Sequence, residues 1–273
     1  MALMRCDFFS DVLEVSTSMT VILPQATQQQ IGMTGTAATA ERGEPAPPVL
    51  YLLHGLSDDD TVWTRRTSIE RYVADLGIAV VMPRVERSFY HDEAHGQRFW
   101  TFLTEELPAV VHSFFKVSQR PEDTFVAGLS MGGYGAMRWA LTHPDRFAAA
   151  ASLSGVLDPA EPGLLEARGD LYDTVFDSRP VDGTDSDPLH LLRVLGRRGS
   201  DDGVAPGSRG LPTLYVACGT EDGLLAGNER FLAEADRLGI PVTRDLSPGE
   251  HEWGLWDAQI QDVLRWLPIT GRD

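Results

Sequence analysis

Thr124-Phe-Val-Ala-Gly-Leu-Ser-Met-Gly-Gly-Tyr-Gly-Ala136 joins an apolar run to the pattern Gly-x-Ser-x-Gly and continues into helix-forming sequence. Thr124 to Ala127 reads as a short buried strand. Met131 to Leu141 reads as a helix that stops before His143-Pro144, because proline cannot continue it. A strand that turns abruptly into a helix holds its central residue in a strained conformation, and bulky side chains at 128 and 132 would collide there. The turn lifts the Ser130 hydroxyl clear of the sheet. It also aims the Met131 amide and the positive end of the helix at the place where an oxyanion would form. Ser130 is therefore the candidate nucleophile, against the alternative of a tight turn with no chemistry.

Working outward, the flanking segments repeat the same rhythm. Val49 to Leu53 is a continuous apolar run, as expected of a strand covered on both faces, and it ends in His54-Gly55-Leu56. Thr67 to Leu76 has helical spacing, Ile78 to Met82 is the next buried strand, and Thr101 to Phe114 is an amphipathic helix leading back to the serine strand. Phe147 to Leu153 and Leu211 to Cys218 continue the strands; Phe231 to Leu238 is a helix, Val242 to Leu246 a last edge strand and Leu255 to Leu267 a closing helix. Alternation of this kind predicts a mostly parallel sheet with helices on both faces and sites at the carboxyl ends of its strands. At the front, Asp11 to Val15 and Met19 to Leu23 read as a hairpin joined by Ser16-Thr17-Ser18. Gln25 to Pro48 reads as a flexible surface loop. Val156 to Gly210, punctuated by Pro, Asp and Gly, reads as an insertion over the site with one helix around Pro188 to Leu195. One domain over 1–273 is expected.

Each further candidate follows a predicted strand. An acid just after Leu211 to Cys218 can reach the far nitrogen of a histidine, and Asp222 is the candidate, with Glu221 its rival. His251, in the loop after the last strand, can swing back over the serine. The chain order Ser130, Asp222, His251 matches one of the known orders of such triads. The glycine after His54 lets the backbone approach a substrate carbonyl, which makes the Leu56 amide the second oxyanion donor beside Met131. His54 itself reads as a residue fixed at the strand end. Asp58-Asp59-Asp60 reads as a turn or helix N-terminus, not a metal site. The aromatic-rich loop Arg84 to Trp100 is a candidate pocket wall; the candidate pocket residues are Ser88, Tyr90 and Trp100 from this loop with Trp63 and Trp253 from outside it, and Trp256 is assigned to core packing.

The chain's 273 residues, 42% of them hydrophobic, suffice for one large core. A formal net charge of −17 argues against nucleic acid or an anionic membrane surface as partner. Lys116 is the sole lysine and sits in an amphipathic segment, which leaves Schiff-base and Walker-type chemistry without a candidate. Cys6 and Cys218 show no metal spacing, and reduced thiols are expected, although a single bridge stays open. No apolar run is long enough to cross a bilayer. No leader is evident either, so a cytoplasmic protein is expected.

The chain resembles the esterase D group of α/β hydrolases, and most closely its bacterial tributyrin-esterase branch. The resemblance is carried by Tyr51-Leu-Leu-His-Gly-Leu-Ser57, Val80-Val-Met-Pro83, Arg87-Ser-Phe-Tyr-His-Asp92, Glu105-Glu-Leu-Pro108, Gly128-Leu-Ser-Met-Gly-Gly-Tyr-Gly-Ala136 and the Asp222 and His251 loops. It implies the α/β-hydrolase fold and hydrolysis of short-chain carboxylic esters, acetyl to butyryl, with no metal or organic cofactor. Relatives act on acetylated sugars, feruloyl esters and S-formylglutathione, and more distant kin are mycolyltransferases. Thioesterase and acyltransferase readings therefore stand beside the esterase one, as does, in a different class, a binding protein on a hydrolase scaffold. Members of the group are often homo-oligomers, which leaves that state open here. Activity should fall below neutral pH as the histidine base is protonated; a rate flat down to about pH 4 would contradict the assignment.

Overall fold

The computed structural model describes residues 1–25, 46–201 and 211–269. Eight strands form one sheet in the order β1-β2-β4-β3-β5-β6-β7-β8. They are β1 (Ala2–Ser10), β2 (Val15–Leu23), β3 (Val49–Leu53), β4 (Ala79–Pro83), β5 (Thr124–Leu129), β6 (Ala149–Leu153), β7 (Thr213–Gly219) and β8 (Val242–Ser247). β1 pairs antiparallel with β2 and β2 antiparallel with β4; all pairs from β4 to β8 are parallel. The α/β-hydrolase fold expected from the sequence is present.

The helices are α1 (Val62–Arg66), α2 (Ile69–Tyr72), α3 (Phe99–Thr101), α4 (Leu107–Phe114), α5 (Met131–Thr142), α6 (Pro162–Ala167), α7 (Gly169–Phe176), α8 (Pro188–Asp201), α9 (Leu225–Leu238) and α10 (Trp253–Trp266). β3, β4 and β6 are buried along their whole length, which is why they read as unbroken apolar runs. Their alternate side chains feed two cores. Tyr51, Val81, Val126 and Ala150 face the core shared with α4, α5, α8 and α9, while Leu50, Val80, Phe125 and Ala151 face α1, α2 and α10.

Several boundaries differ from the sequence reading, each for a local reason. The hairpin strands are Ala2–Ser10 and Val15–Leu23, so Asp11 to Glu14 is the turn and Ser16-Thr17-Ser18 lies inside a strand. Glu14 takes the left-handed φ of 55°, and Glu106 receives the Ser10 hydroxyl and the Asp11 amide at 2.7 Å, a long-range clamp that no local pattern announces. Of the helix expected over Thr67 to Leu76 only Ile69–Tyr72 forms, as α2; α1 ends just before it, because the Thr67 hydroxyl donates to the Trp63 carbonyl at 2.6 Å and accepts from the Ile69 amide. Between α3 and α4, Phe102–Glu106 forms a π-helical turn. Pro108 lacks the N–H that would bond the Thr104 carbonyl, and Arg146 supplies that bond from outside at 2.6 Å. The region after β6 carries α6 and α7 as well as the expected helix, which runs on to Asp201 as α8 and packs on α5 and α9. Most of the Gln25 to Pro48 loop lies outside the described residues.

Candidate active site

Ser130 stands between β5 and α5 at φ 52°, ψ −117°, a strained conformation for a residue with a side chain. The neighbouring glycines are needed for contact. A Cβ on Gly128 would lie 2.4 Å from the Gly132 carbonyl, and one on Gly132 would lie 2.5 Å from the Leu53 oxygen and 2.7 Å from the His54 oxygen. Thus α5 begins hard against the end of β3. The Ser130 amide donates to the Leu153 carbonyl at 2.8 Å, which ties the turn to β6 as well.

The loops after β7 and β8 approach each other where a side chain would not fit. A Cβ on Gly219 would sit 2.1 Å from the Gly249 carbonyl oxygen, and Gly249 has φ 150°. Across this contact Asp222 receives the His251 Nδ1–H at 2.9 Å, and the Ser130 hydroxyl donates to His251 Nε2 at 3.0 Å. Glu221 does something else: its carboxylate accepts the Gly249 amide at 2.6 Å and so holds the histidine loop. Burial works against the charged Asp222, but hydrogen bonds from His251, the Leu224 amide and Ser154 outweigh it, and its pKa lies below the ordinary carboxylate value. An anionic Asp222 selects the Nδ1–H tautomer, which leaves the Nε2 lone pair facing Ser130.

Ser154 and Trp256 complete this chain of contacts. Trp256 meets the His251 ring edge-on at a centroid distance of 4.8 Å and donates its indole N–H to Ser154 Oγ at 3.1 Å. The Ser154 hydroxyl in turn bonds Asp222. Trp256, assigned from sequence to the core, is buried and also lines the cavity beside Trp253. No pattern marked Ser154, whose left-handed φ of 47° follows β6 without a glycine.

A cavity of about 980 Å³ opens over Ser130 and His251. Leu56 and Met131 are on its wall, as are Phe89, Leu164 of α6 and Leu224. Of the candidate pocket residues, Trp253 lines it and the others do not. Trp63 is 1% exposed, donates to the Leu53 carbonyl at 3.1 Å and supports Trp253 from behind, ring to ring at 5.3 Å. Ser88 and Tyr90 are fully buried; the Tyr90 hydroxyl donates to the His54 carbonyl at 2.9 Å. Trp100 stacks on the Arg138 guanidinium, 3.8 Å from its ring centroid. The correction has a backbone cause. Phe89 and Tyr90 both take the left-handed φ of 51°, and it is Phe89, not Tyr90, that lines the cavity.

His54 is buried, its Nδ1–H donating to the Gly55 carbonyl at 2.7 Å and its Nε2 accepting the Val85 amide at 3.1 Å; burial lowers its pKa. It braces the Leu56 loop. Asp59 caps Thr61, and Asp60 accepts the hydroxyls of Ser18 and Thr20. Among the described residues, no cluster of three or more His, Cys, Asp or Glu could hold a metal ion, and no helix is long and apolar enough to cross a membrane.

Residues 40–267 match the profile of a family described as putative esterase. The chain belongs to this esterase family. It is 29% identical, over 98% of both chains, to an acetyl esterase of Caldicellulosiruptor saccharolyticus. Its fold superposes on a fluorophosphonate-binding serine hydrolase of Staphylococcus aureus with a TM-score of 0.82 and 31% identity, over 97% of this chain and 98% of the other. An S-formylglutathione hydrolase of the same organism gives 0.76 and 31% over the same shares. The esterase is a serine carboxylic ester hydrolase.

Proposed function

We propose that this esterase cleaves short-chain acyl esters, acetyl to butyryl, by two-step acyl transfer through Ser130, His251 and Asp222. The hydrogen-bonded line from Asp222 through His251 to Ser130, at 2.9 and 3.0 Å, carries the reading. His251 Nε2 takes the Ser130 proton as Oγ attacks the ester carbonyl, and Asp222 stabilises the imidazolium that results. The amides of Leu56 and Met131 receive the oxyanion, at about 2.7–4 kcal/mol per donor. His251 then protonates the departing alcohol, and water repeats the attack on the acyl-enzyme. The chain acts as one catalytic unit, with 156–201 as a cap that contributes Leu164 to the cavity wall. A cytoplasmic setting is in keeping with two free cysteines.

A cavity of about 980 Å³ is large for an ethyl butyrate, and this favours a second reading in which the leaving group is bulky, such as a peptide-like thiol. The test is a p-nitrophenyl ester series from acetate to laurate beside S-acyl thioesters, with the native protein and Ser130→Ala. Preference for acetate to butyrate, lost in the variant, supports the proposal. Equal inactivity of both proteins on all esters refutes it, and turnover of thioesters alone would favour the second reading.

A further inference from the structure

In a chain with 40 aspartates and glutamates against 23 lysines and arginines, a guanidinium without a carboxylate needs a reason. Many arginines have their acid: Arg65 has Asp59, Arg84 has Glu86, Arg193 has Glu234 and Arg244 has Asp236. Arg138 and Arg146 are spent on backbone carbonyls. Among the described arginine side chains, three have no carboxylate, carbonyl, hydroxyl or ring as partner: Arg66, Arg87 and Arg168, all exposed. Arg66 ends α1 and does not line the cavity over Ser130; Arg87 and Arg168 both do. Two separate segments bring them there. Arg87 stands two residues before Phe89 in the loop after β4, and Arg168 is the N-cap of α7, one hydrogen-bonded turn before Tyr172. The Phe89 and Tyr172 rings meet edge to face with centroids 5.6 Å apart, so both arginines stand at the seam where the β4 loop adjoins the cap. The carboxylates on the same wall are mostly engaged. Arg230 bonds Glu161 at 2.8 Å, His251 bonds Asp222, and Asp58 accepts the Gly55 amide. Glu252 is left, on another segment, as the N-cap of α10.

We propose that Arg87 and Arg168 form a subsite for a carboxylate carried by the leaving group of the ester. The proposal rests on the short-chain esterase reading above. An acetyl to butyryl group fills a small part of about 980 Å³, so the remaining room belongs to the alcohol side. A guanidinium presents a planar fork of N–H donors that matches a carboxylate, and two of them on different segments fix where that carboxylate sits. Both side chains are exposed, so the empty subsite leaves no buried charge unpaired. The formal charge of −17 adds a second reason. An anionic substrate approaches against the field of the whole chain, and two uncommitted cations at the site offset that repulsion where the substrate must enter.

4-Acetoxybenzoate and 4-acetoxybenzamide test the subsite, because they share their shape and acetyl group and differ in the charge of the leaving group. The ratio of their kcat/KM values, each divided by the ester's own rate with imidazole, is read within one protein, so any loss of folded enzyme cancels. Exposed ion pairs are worth a factor of about 2–5 each, so the native enzyme is expected to favour the carboxylate about tenfold, mainly through KM. Arg87→Gln and Arg168→Gln should each lower the ratio about threefold, the double variant should bring it to about one, and glutamate at both positions should reverse it. About 0.5 M NaCl should erode the native preference. Arg66→Gln, at the partnerless arginine outside the cavity, should leave the ratio at its native value. A native ratio near one while p-nitrophenyl acetate is turned over, a preference that survives the double glutamine variant, or an Arg66→Gln effect as large as the other two overturns the proposal. A native protein that does not turn over p-nitrophenyl acetate at all overturns the esterase reading itself, before any arginine is changed.

Discussion

Replacing Ser154 with alanine removes one hydroxyl that serves two partners, and the consequences can be worked out separately. Alanine keeps the Cβ, so the left-handed backbone at φ 47° is common to both proteins and drops out of the comparison. The Trp256 indole N–H, now bonded at 3.1 Å, would be left buried without an acceptor, at about 1–3 kcal/mol. Asp222 would lose one of three donors, a bond to an ionised carboxylate worth about 1.5–3 kcal/mol. The two losses share one hydroxyl and do not add fully, so about 3 kcal/mol is expected, or a Tm lower by roughly 6–12 °C for a chain of this size. Catalysis should suffer less. Asp222 keeps the His251 and Leu224 bonds at 2.9 and 2.8 Å, so kcat should fall about tenfold, far short of losing the acid. Because the Asp222 pKa is depressed in the folded protein, its stabilising contribution is present above the unfolded value and lost as pH falls through the folded one. Without Ser154 that loss should begin at higher pH. Thermal melts from pH 3 to 7, with p-nitrophenyl acetate turnover at pH 7.5, measure both effects. An alanine variant that melts and turns over like the native enzyme would refute the role given to this hydroxyl.

The two acids after β7 are separable. Asp222→Asn should cost kcat on the order of 10⁴, since the amide favours the wrong imidazole tautomer, whereas Glu221→Gln, which still accepts the Gly249 amide, should stay within about threefold; the reverse order in steady-state kinetics would overturn the assignment. His91 bridges the Asp92 carbonyl and the Ser186 hydroxyl, and burial, aided by Arg138, lowers its pKa to about 4. A base depressed in this way binds its proton more readily unfolded. Stability should therefore be complete above about pH 6.5 and decline toward pH 4, by about 3 kcal/mol at most. His91→Gln should flatten that decline in urea unfolding at pH 7 and pH 5, and parallel losses in both proteins would refute it.

Legibility in the sequence tracked how local the controlling forces are. β3, β4 and β6 are buried on both faces, so burial alone wrote them as apolar runs, and the Ser130 turn is dictated by clashes within a few residues of Gly128 and Gly132. The positions of Asp222 and His251 could be read because each follows a strand, and strand order fixes which loops meet. What failed depends on distant contacts or on unusual dihedrals. Glu106 decides the first turn from 95 residues away, and Arg146 takes the carbonyl that Pro108 leaves free. The left-handed pair Phe89 and Tyr90 exchanged the wall residue for its neighbour, since loop composition has no means of anticipating two positive φ angles at residues other than glycine.

The residues that were expected in the pocket wall and lie behind it explain why the site can be stiff. Helix α5 starts at the strained serine, and its next turns carry Tyr134 and Arg138. The Tyr134 hydroxyl donates to the Ser186 carbonyl at 2.9 Å, while Arg138 bonds the Tyr90 carbonyl at 2.9 Å and the Asp185 carbonyl at 3.1 Å under the Trp100 ring. Tyr90 in turn packs where Gly135 has no side chain and reaches the His54 carbonyl, next to the Leu56 amide. One helix thus grips the β4 loop and the segment before α8 with the same face that follows Ser130. A buried guanidinium is costly unless its donors find acceptors, and here one carbonyl from each segment accepts from it, so either segment that moved away would leave a buried charged donor without its acceptor. This network braces the turn that carries Ser130 against the loop that carries the Leu56 amide proposed for the oxyanion, so the aromatic loop contributes by fixing geometry behind the cavity wall.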